Sequence, residues 1–124
     1  GRFIEARQIH QDVLKLRKQI LGREHPDSLV SANNLGCLLQ DQKDFKHAIQ
    51  LHEQVVAASL KTLGEKHPST LKYSHDLGVA FQRRRLHLEA EQLQRRVLKM
   101  QKETLGEKHP QTLKTHDSLG HLLW

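Results

Sequence analysis

Two kinds of apolar pattern alternate along this chain. In the first kind, apolar and small residues recur at i, i+3, i+4 and i+7, which is the spacing of one face of an α-helix. The clearest example contains Phe45, Ala48, Ile49, His52, Val55, Val56 and Leu63. It predicts a helix over residues 45–62, with related helices over 4–20 and 87–104.

The second kind of pattern follows each proline. Pro26, Pro68 and Pro110 stand where a helix begins, because proline is tolerated in the first turn and its fixed φ suits that position. Helical spacing then continues over 27–41, and we predict corresponding helices over 69–83 and 111–124. We expect side-chain acceptors in the first turns of these helices. The candidates are Asp27, Ser28, Ser69, Thr70 and Thr112.

The two patterns belong to one unit that repeats every 42 residues. The segment Leu-Gly-Arg-Glu-His-Pro begins at Leu21, and Leu-Gly-Glu-Lys-His-Pro begins at Leu63 and again at Leu105. From Leu63 and Leu105 onward, 11 of 16 positions are identical. A fixed period of this length is typical of repeat proteins, in which each unit buries its apolar faces against its neighbours. We therefore predict an all-α fold of antiparallel helix pairs, with about six helices.

The repeat also divides the chain. It predicts a partial repeat over 1–24, two repeats over 25–66 and 67–108, and a partial repeat over 109–124. Because this order opens and closes in the middle of a repeat, we expect a single domain that is a fragment of a longer array, or an array completed at its ends by other chains.

Two sets of glycines recur with the same period. The first set follows the last apolar residue of a helix, where a left-handed cap is favoured. Its members are Gly22, Gly64 and Gly106. The second set lies inside helices, where glycine costs about 1 kcal/mol relative to alanine. Its members are Gly36, Gly78 and Gly120. That recurring cost predicts a close helix crossing, with Ala48 and Ala90 as the facing small residues.

These residues resemble the tetratricopeptide repeat, whose pattern is W-x2-L-G-x2-Y, then A-x3-F, then P. The first block corresponds to Ala32–Leu35–Gly36–Leu39 and to Ser74–Leu77–Gly78–Phe81; the second block corresponds to Ala48–His52 and to Ala90–Gln94. The 42-residue period with L-G-x-x-H-P is similar to the repeats of kinesin light chains, and to those attached to nucleotide-binding signalling receptors and nephrocystin-like proteins. The resemblance implies a right-handed α-solenoid whose concave groove, lined by first helices, binds a protein or peptide partner.

The positions expected to face this groove vary between copies while the packed positions repeat. Counting along the helix from Leu35 and Gly36 gives Val30, Asn33, Cys37 and Gln40 in the first copy, with Asp41 at the margin. The second copy gives Lys72, His75, Val79, Gln82 and Arg83, and the third gives Lys114, Asp117 and His121, with Trp124 at the margin. Asn34 joins this set because Asn33–Asn34 match the N-N-L-A segment that helps to hold cargo peptides in kinesin light chains.

Charge indicates the chemistry of the partner. The net charge is +6 and the sequence pI is about 9.7, which favours an acidic partner. Lys72, Arg83 and Lys114 are expected to pair with acidic side chains or a terminal carboxylate. A single cysteine and the lack of a signal segment predict a cytoplasmic protein. Because the sequence contains no apolar run of about 18 residues, we predict no membrane span.

Catalytic and metal sites are not predicted, and neither is a cofactor. His25, His67 and His109 recur at the repeat step, so stacking places them about 10 Å apart, too far to share one metal ion. We expect these histidines to order the loop before the proline. Ser74, His75 and Asp76 are adjacent on one helix and point in different directions, so they do not form a catalytic triad.

Two alternatives to groove binding remain open. The first is self-assembly through apolar helix faces at the two ends of the stack. Those faces contain Phe3, Ile9 and Val13 at one end and Leu119, Leu122, Leu123 and Trp124 at the other. The second is nonspecific binding of nucleic acid or an acidic surface by the basic runs 83–85 and 95–96. The lack of interleaved aromatic residues weighs against nucleic acid.

Overall fold

A computed structural model describes the backbone of residues 2–22 and 24–123, and their side chains except those of Phe3, Ile20 and Leu21. Within these residues there are six α-helices and no strand. They are α1 (Arg2–Leu21), α2 (Pro26–Asp41), α3 (Phe45–Thr62), α4 (Pro68–Arg83), α5 (His87–Thr104) and α6 (Pro110–Leu123). All six predicted helices are confirmed to within two residues at each end. Trp124, which we expected at the groove margin and at the apolar end, lies outside the described residues.

The helices form an open stack in which each helix packs against the next one along the chain. We call α2, α4 and α6 the A helices and α1, α3 and α5 the B helices. Contacts also join α2 to α4 and α4 to α6, whereas no pair of described Cα atoms within 8 Å joins α1 to α3 or α3 to α5. Since the A helices approach one another and the B helices are spread apart, the stack curves with its A helices on the inner side.

The core is aliphatic and repeats with the chain. Leu29 and Leu71 occupy the same position in successive repeats and are only 4% and 2% exposed. Leu113, the third member of that series, is 51% exposed, because no B helix follows α6 in the structure. The alanines Ala48 and Ala90 are fully buried where α3 and α5 pack on the preceding A helices. Packing between neighbouring repeats therefore supplies burial that one helix pair cannot provide alone.

The glycines at the ends of the B helices adopt the predicted conformation. Their φ angles are +95° at Gly22, +89° at Gly64 and +91° at Gly106. This left-handed region is unstrained for glycine and disfavoured for residues with a Cβ. The chain can therefore turn from each B helix into the next proline within four residues.

The caps of the A helices differ from the prediction. In all three loops the histidine Nδ1 accepts a hydrogen bond from the backbone N–H two residues later, at 3.1, 3.0 and 3.1 Å for His25, His67 and His109. The expected acceptors at positions 27, 28, 69, 70 and 112 do not have this role; the Ser28 hydroxyl instead donates to the Gly22 carbonyl at 2.7 Å. The prediction that these histidines order the loop before each proline is confirmed.

The cap at the start of α4 gives a direct stability prediction. We expect His67→Ala to lower the free energy of unfolding by about 1 kcal/mol, the usual effect of removing an N-cap acceptor. His67→Asn, which keeps a short acceptor, should recover most of that loss. Urea denaturation followed by circular dichroism measures the difference. Lys66→Ala, at the neighbouring exposed position, serves as the control. An equal loss in that control would contradict the capping role.

The close crossing predicted at the internal glycines is present, but its partners are different. A Cβ built on Gly36 would lie 2.8 Å from the Cε1 and Nε2 atoms of His52, and one on Gly78 would lie 2.7 Å from Gln94. These partners follow the expected Ala48 and Ala90 by one helical turn. At Gly120 a Cβ would meet nothing within 4 Å, because this glycine faces the open end of the stack.

Candidate partner-binding surface

The inner surface of the stack is formed by the A helices. From α2 it exposes Val30 (43%) and Asn34, while Cys37 is half-buried. Asn33 and Gln40, both expected to face a partner, are only 3% and 4% exposed. Their side chains point into the helix pair, so the expectation that they are exposed is wrong. Whether they affect partner binding stays a prediction.

Asn33 and Gln40 are buried because both bind the same imidazole. The Gln40 amide nitrogen lies 3.0 Å from His52 Nε2, and Asn33 Oδ1 lies 3.0 Å from His52 Nδ1. An amide nitrogen can only donate, so His52 Nε2 accepts and its Nδ1–H donates to Asn33. This arrangement requires a neutral ring, and burial lowers the pKa of His52 although Asp76 opposes that shift. His52 is fully buried.

The same network continues into the following repeat. The Asn33 amide nitrogen donates to Asp76 on α4 at 2.9 Å. The Arg83 guanidinium donates to Gln40 Oε1 at 3.5 Å and to Asp41 at 3.3 Å. Its carbon also lies 5.7 Å from the centre of the Phe45 ring, within range for a cation–π contact. Two helices of one repeat are thus joined to the first helix of the next by a polar network with matched donors and acceptors.

Sequence reasoning missed this network because its members do not recur. Asn33 is replaced by His75 one repeat later, His52 by Gln94 and Asp76 by Ser118. Variation at these positions looked like the variation of a binding surface. The available signal was His52 itself, a polar residue on an otherwise apolar helical stripe, opposite a glycine. It is also where the family pattern places an aromatic ring.

The second and third repeats form a cavity between α4 and α6. It has a volume of about 220 Å³ and is lined by Lys72, His75, Asp76, Gln101, Gln111 and Lys114. We call it the lysine pocket. Three of these residues, Lys72, His75 and Lys114, were predicted as partner-binding residues, and the fold brings them together across two repeats. The other three were not predicted, because Asp76, Gln101 and Gln111 lie outside the positions counted from Leu35.

Polar groups without partners lie in the wall of the lysine pocket. Gln101 is fully buried, and neither its Oε1 nor its Nε2 has a hydrogen-bond partner among the described residues. The same is true of Gln111 Oε1. Burying such groups unpaired costs about 1–3 kcal/mol each. Since these atoms have no accessible surface, a ligand would reach them only with a movement of the pocket wall.

The charges at this pocket are predominantly positive. Lys72 and Lys114 are exposed, and neither has an ion-pair partner within the described part of the chain. His75 Nδ1 lies 3.1 Å from the Thr115 hydroxyl, and burial lowers the pKa of His75, with Lys114 adding to that effect against Asp76 and Gln94. This shift favours the neutral form of His75, and the two lysines supply the positive charge.

The remaining predicted residues are placed as follows. Val79 and Gln82 on α4 are half-buried, and Asp117 and His121 on α6 are exposed. Arg83, predicted to contact an acidic partner, is engaged by Asp41 and Phe45. Of the three cations proposed to bind acidic groups, Lys72 and Lys114 are thus the two available for a ligand.

Groups that could support chemistry are weak candidates here. Burial, together with the carboxylates of Asp76 and Asp41, raises the pKa of the Cys37 thiol to about 11, so very little reactive thiolate exists at neutral pH. Among residues 2–22 and 24–123, no group of three or more His, Cys, Asp or Glu residues is arranged to hold a metal ion. None of the described helices combines the length and apolar character needed to cross a bilayer.

Comparisons with known proteins agree with this geometry. A family model for the tetratricopeptide repeat matches residues 1–61 and 48–103. A search of curated proteins gave no significant match. Among solved structures, a Podosopora anserina protein described as a kinesin light chain with nearly identical TPR-like repeats is 34% identical, with a TM-score of 0.90 over 98% of this chain and 58% of that one. A second structure of that protein, carrying a Gln-to-Met substitution, is 32% identical with the same TM-score, over 98% of this chain and 57% of the other.

A more distant structure shows the same fold. BtubC (BKLC) from P. vanneervenii superposes with a TM-score of 0.83 at 21% identity, over 98% of this chain and 48% of that chain. The chain therefore spans between about half and three-fifths of the length of these solved structures. The helix pairs and their stacking are shared along nearly the whole chain.

Proposed function

Because the chain belongs to the tetratricopeptide repeat family, with repeats of the kinesin-light-chain-like type, we propose that it binds an acidic segment of a protein partner along its A helices. Repeats of this family generally mediate protein–protein interactions, and their members are typically scaffolds rather than enzymes. The observation that carries the proposal is the lysine pocket, where two unpaired ammonium groups flank buried amides without partners.

The chemistry of the pocket favours a carboxylate. Lys72 and Lys114 can each donate to a carboxylate oxygen, and charge-assisted hydrogen bonds of this kind are about twice as strong as neutral ones. The unpaired Gln101 amide and Gln111 Oε1 lie in the wall beside these ammonium groups. Asp76 at the edge of the pocket opposes a ligand with several negative charges there. We therefore propose one Asp or Glu side chain, or a terminal carboxylate, as the group bound.

The other surface residues extend the proposed site along the stack. Val30, Cys37 and Val79 give a mildly apolar strip on α2 and α4, and the polar residues Asn34, Gln82, Asp117 and His121 are further candidates for partner contact. Asn33, Gln40 and Arg83 act from behind this surface, since their network fixes α4 relative to α2 and α3. The site thus combines a specific charged pocket with a broader contact surface, as a groove that binds an extended segment requires.

Replacing both pocket lysines tests this proposal. We expect Lys72→Ala with Lys114→Ala to weaken binding of a fluorescein-labelled, glutamate-rich peptide by about tenfold or more, since each lost charge-assisted contact is worth roughly 1 kcal/mol. Fluorescence anisotropy at 150 mM salt measures the affinity. The matched control, Lys66→Ala with Lys108→Ala, removes the same charge from exposed positions in the loops that precede α4 and α6.

The comparison of the two double variants decides the outcome. A loss confined to the pocket variant supports a defined carboxylate site. Equal losses in both variants would mean that overall positive charge attracts the peptide and that the lysine pocket is not the site. No loss in either variant would remove the pocket from the binding surface.

Self-assembly is a second proposed function. On α1, Ile9 and Leu16 are 62% and 55% exposed, and on α6 Leu123 is 56% exposed. Gly120 faces open space at the position where Gly36 and Gly78 receive a B helix. Docking of α1 from a second copy, or of a further repeat in a longer array, would cover both faces. Light scattering that shows a monomer at high protein concentration would exclude the second copy.

A further inference from the structure

A cleft on the opposite side of the stack has its own chemistry. It lies between the B helices α1 and α3, above α2, and has a volume of about 450 Å³. Its floor is apolar and formed by Leu29, Ala32, Leu51, Val55 and Ala58. We call it the outer cleft. It shares no residue with the lysine pocket, which opens between A helices.

In the next repeat, side chains fill most of the cleft that is equivalent to the outer cleft. The corresponding cleft between α3 and α5 has a volume of only about 60 Å³. Both clefts use equivalent floor positions, with Leu71 for Leu29 and Val97 for Val55. At one lining position Met100 stands where the outer cleft has Ala58, and at two others Leu60 and Arg96 stand where it has Lys18 and Gln54. Part of the larger volume of the outer cleft therefore corresponds to the shorter side chain at position 58.

The rim of the outer cleft is charged. Lys61 donates to Glu24 at 3.2 Å, so that pair is internally matched. Lys18 occupies the position of Leu60 in the following repeat and has no ion-pair partner within residues 2–22 and 24–123. At two equivalent positions the outer cleft thus has a shorter apolar side chain, Ala58 for Met100, and a cation, Lys18 for Leu60.

We propose that the outer cleft receives one large apolar side chain, of methionine or leucine size, from a protein partner that places a carboxylate on Lys18. Met100 lies in the equivalent space of the next repeat, and it indicates the size and apolar character of the side chain that the outer cleft would receive. The flanking carboxylate follows from the unpaired Lys18 ammonium group. This site is independent of the proposed function, because it lies between B helices and requires a large apolar side chain beside the carboxylate.

Short peptides of defined composition test the inference. The probe is the acetylated and amidated tripeptide Glu-Met-Glu, titrated against the full chain while backbone amide chemical shifts are recorded by NMR. We expect saturable shifts at Ala57 and Ala58 with a dissociation constant on the order of millimolar, the range that a ligand of this size reaches. Glu-Ala-Glu should shift them at least about tenfold more weakly, because it lacks the apolar group, and Gln-Met-Gln a few-fold more weakly.

A variant whose own side chain fills the outer cleft gives the sharpest test. Ala58→Met should abolish the shifts at residue 57 and raise the melting temperature by a few degrees, because the new side chain occupies the cleft as Met100 does in the next repeat. The matched control Gln50→Met adds the same side chain at an exposed position of α3 outside the cleft, and should bind the probe like the unmodified protein. Lys18→Gln should reduce the preference for Glu-Met-Glu over Gln-Met-Gln to about one.

Three outcomes would overturn the inference: no saturable shift at Ala57 and Ala58, undiminished binding in Ala58→Met, or equal binding of Glu-Met-Glu and Glu-Ala-Glu. Shifts confined to Lys72 and Lys114 would show binding in the lysine pocket and would also refute a site in the outer cleft. Since the two sites have separate reporter amides, failure of one proposal is distinguishable from failure of the other.

Discussion

Gly36→Ala is expected to lower the free energy of unfolding by about 2 kcal/mol, whereas Gly120→Ala, at the same place in the third repeat, should leave it unchanged or raise it. In the first variant the added Cβ lies 2.8 Å from two atoms of the His52 ring. That ring is fully buried and is hydrogen-bonded to Asn33 and Gln40. Overpacking of this kind costs about 1–3 kcal/mol, and displacement of the ring adds the loss of buried hydrogen bonds.

Helix propensity works in the opposite direction and explains the contrast. Alanine is favoured over glycine inside a helix by about 1 kcal/mol. At Gly120 nothing lies within 4 Å of the added Cβ, so only this gain remains, reduced because α6 ends three residues later at Leu123. At Gly36 the gain offsets part of the larger steric loss.

Gly78→Ala should lie between these two variants. Its Cβ would approach the Cδ and Nε2 atoms of Gln94 at 2.7 Å, but Gln94 has a flexible side chain, whose Nε2 donates to the His75 carbonyl at 3.4 Å. Urea denaturation curves with unchanged m values provide the measurement. If all three variants change stability equally, the glycines are retained for a reason other than the close helix crossing.

The helix bounds could be predicted because they depend on local signals that recur. Each proline fixes the start of an A helix, and each left-handed glycine fixes the end of a B helix, as at Pro68 and Gly64. Three copies of each signal reinforce one another, so the stacking of helix pairs also follows from the period. The close crossing at Gly36 was predictable for the same reason.

The candidate site was less predictable, because it depends on contacts between repeats that do not recur. Asn33 and Gln40 occupy positions that vary from copy to copy, which suggested an exposed surface, yet His52 draws both into the interior. Ala48 was expected opposite Gly36, but helical spacing fixes neighbours only to within one turn, and His52 is the residue in contact. The lysine pocket could be predicted in part, since Lys72 and Lys114 are themselves repeat-equivalent.

Replacing His52 tests the network that orders the candidate site. We expect His52→Ala to lower the free energy of unfolding by about 3 kcal/mol, because it leaves a cavity and removes the partners of Asn33 Oδ1 and the Gln40 amide. His52→Gln introduces the residue found at the equivalent position 94, and should cost roughly half as much. Because Asn33 also donates to Asp76 on α4, His52→Ala should weaken the packing of α4 against α2 as well.

The pH dependence of these variants distinguishes a buried neutral histidine from a packing effect. Burial lowers the pKa of His52 below its usual 6.5, so the unfolded chain binds a proton more readily than the folded chain in the interval between those two pKa values. The stabilisation due to neutral His52 is therefore complete above pH 6.5 and is lost as the pH falls through that interval, by at most about 1.4 kcal/mol per pH unit. Burial also lowers the pKa of His75, which adds a pH dependence of the same sign to the unmodified protein and to the His52 variants.

The difference between the unmodified protein and His52→Gln isolates the contribution of one ring. We expect the unmodified protein to be more stable at pH 8, and this advantage should shrink steadily below pH 6.5 as the folded state fails to take up the proton. Denaturation curves at half-unit steps from pH 8 to pH 5 provide the comparison. If the free energies of unfolding of the two proteins differ by the same amount at every pH in that range, His52 has the same pKa in the folded and unfolded states. That result would contradict the arrangement in which Gln40 donates to its unprotonated Nε2, and with it the role of His52 in fixing α4 beside α2.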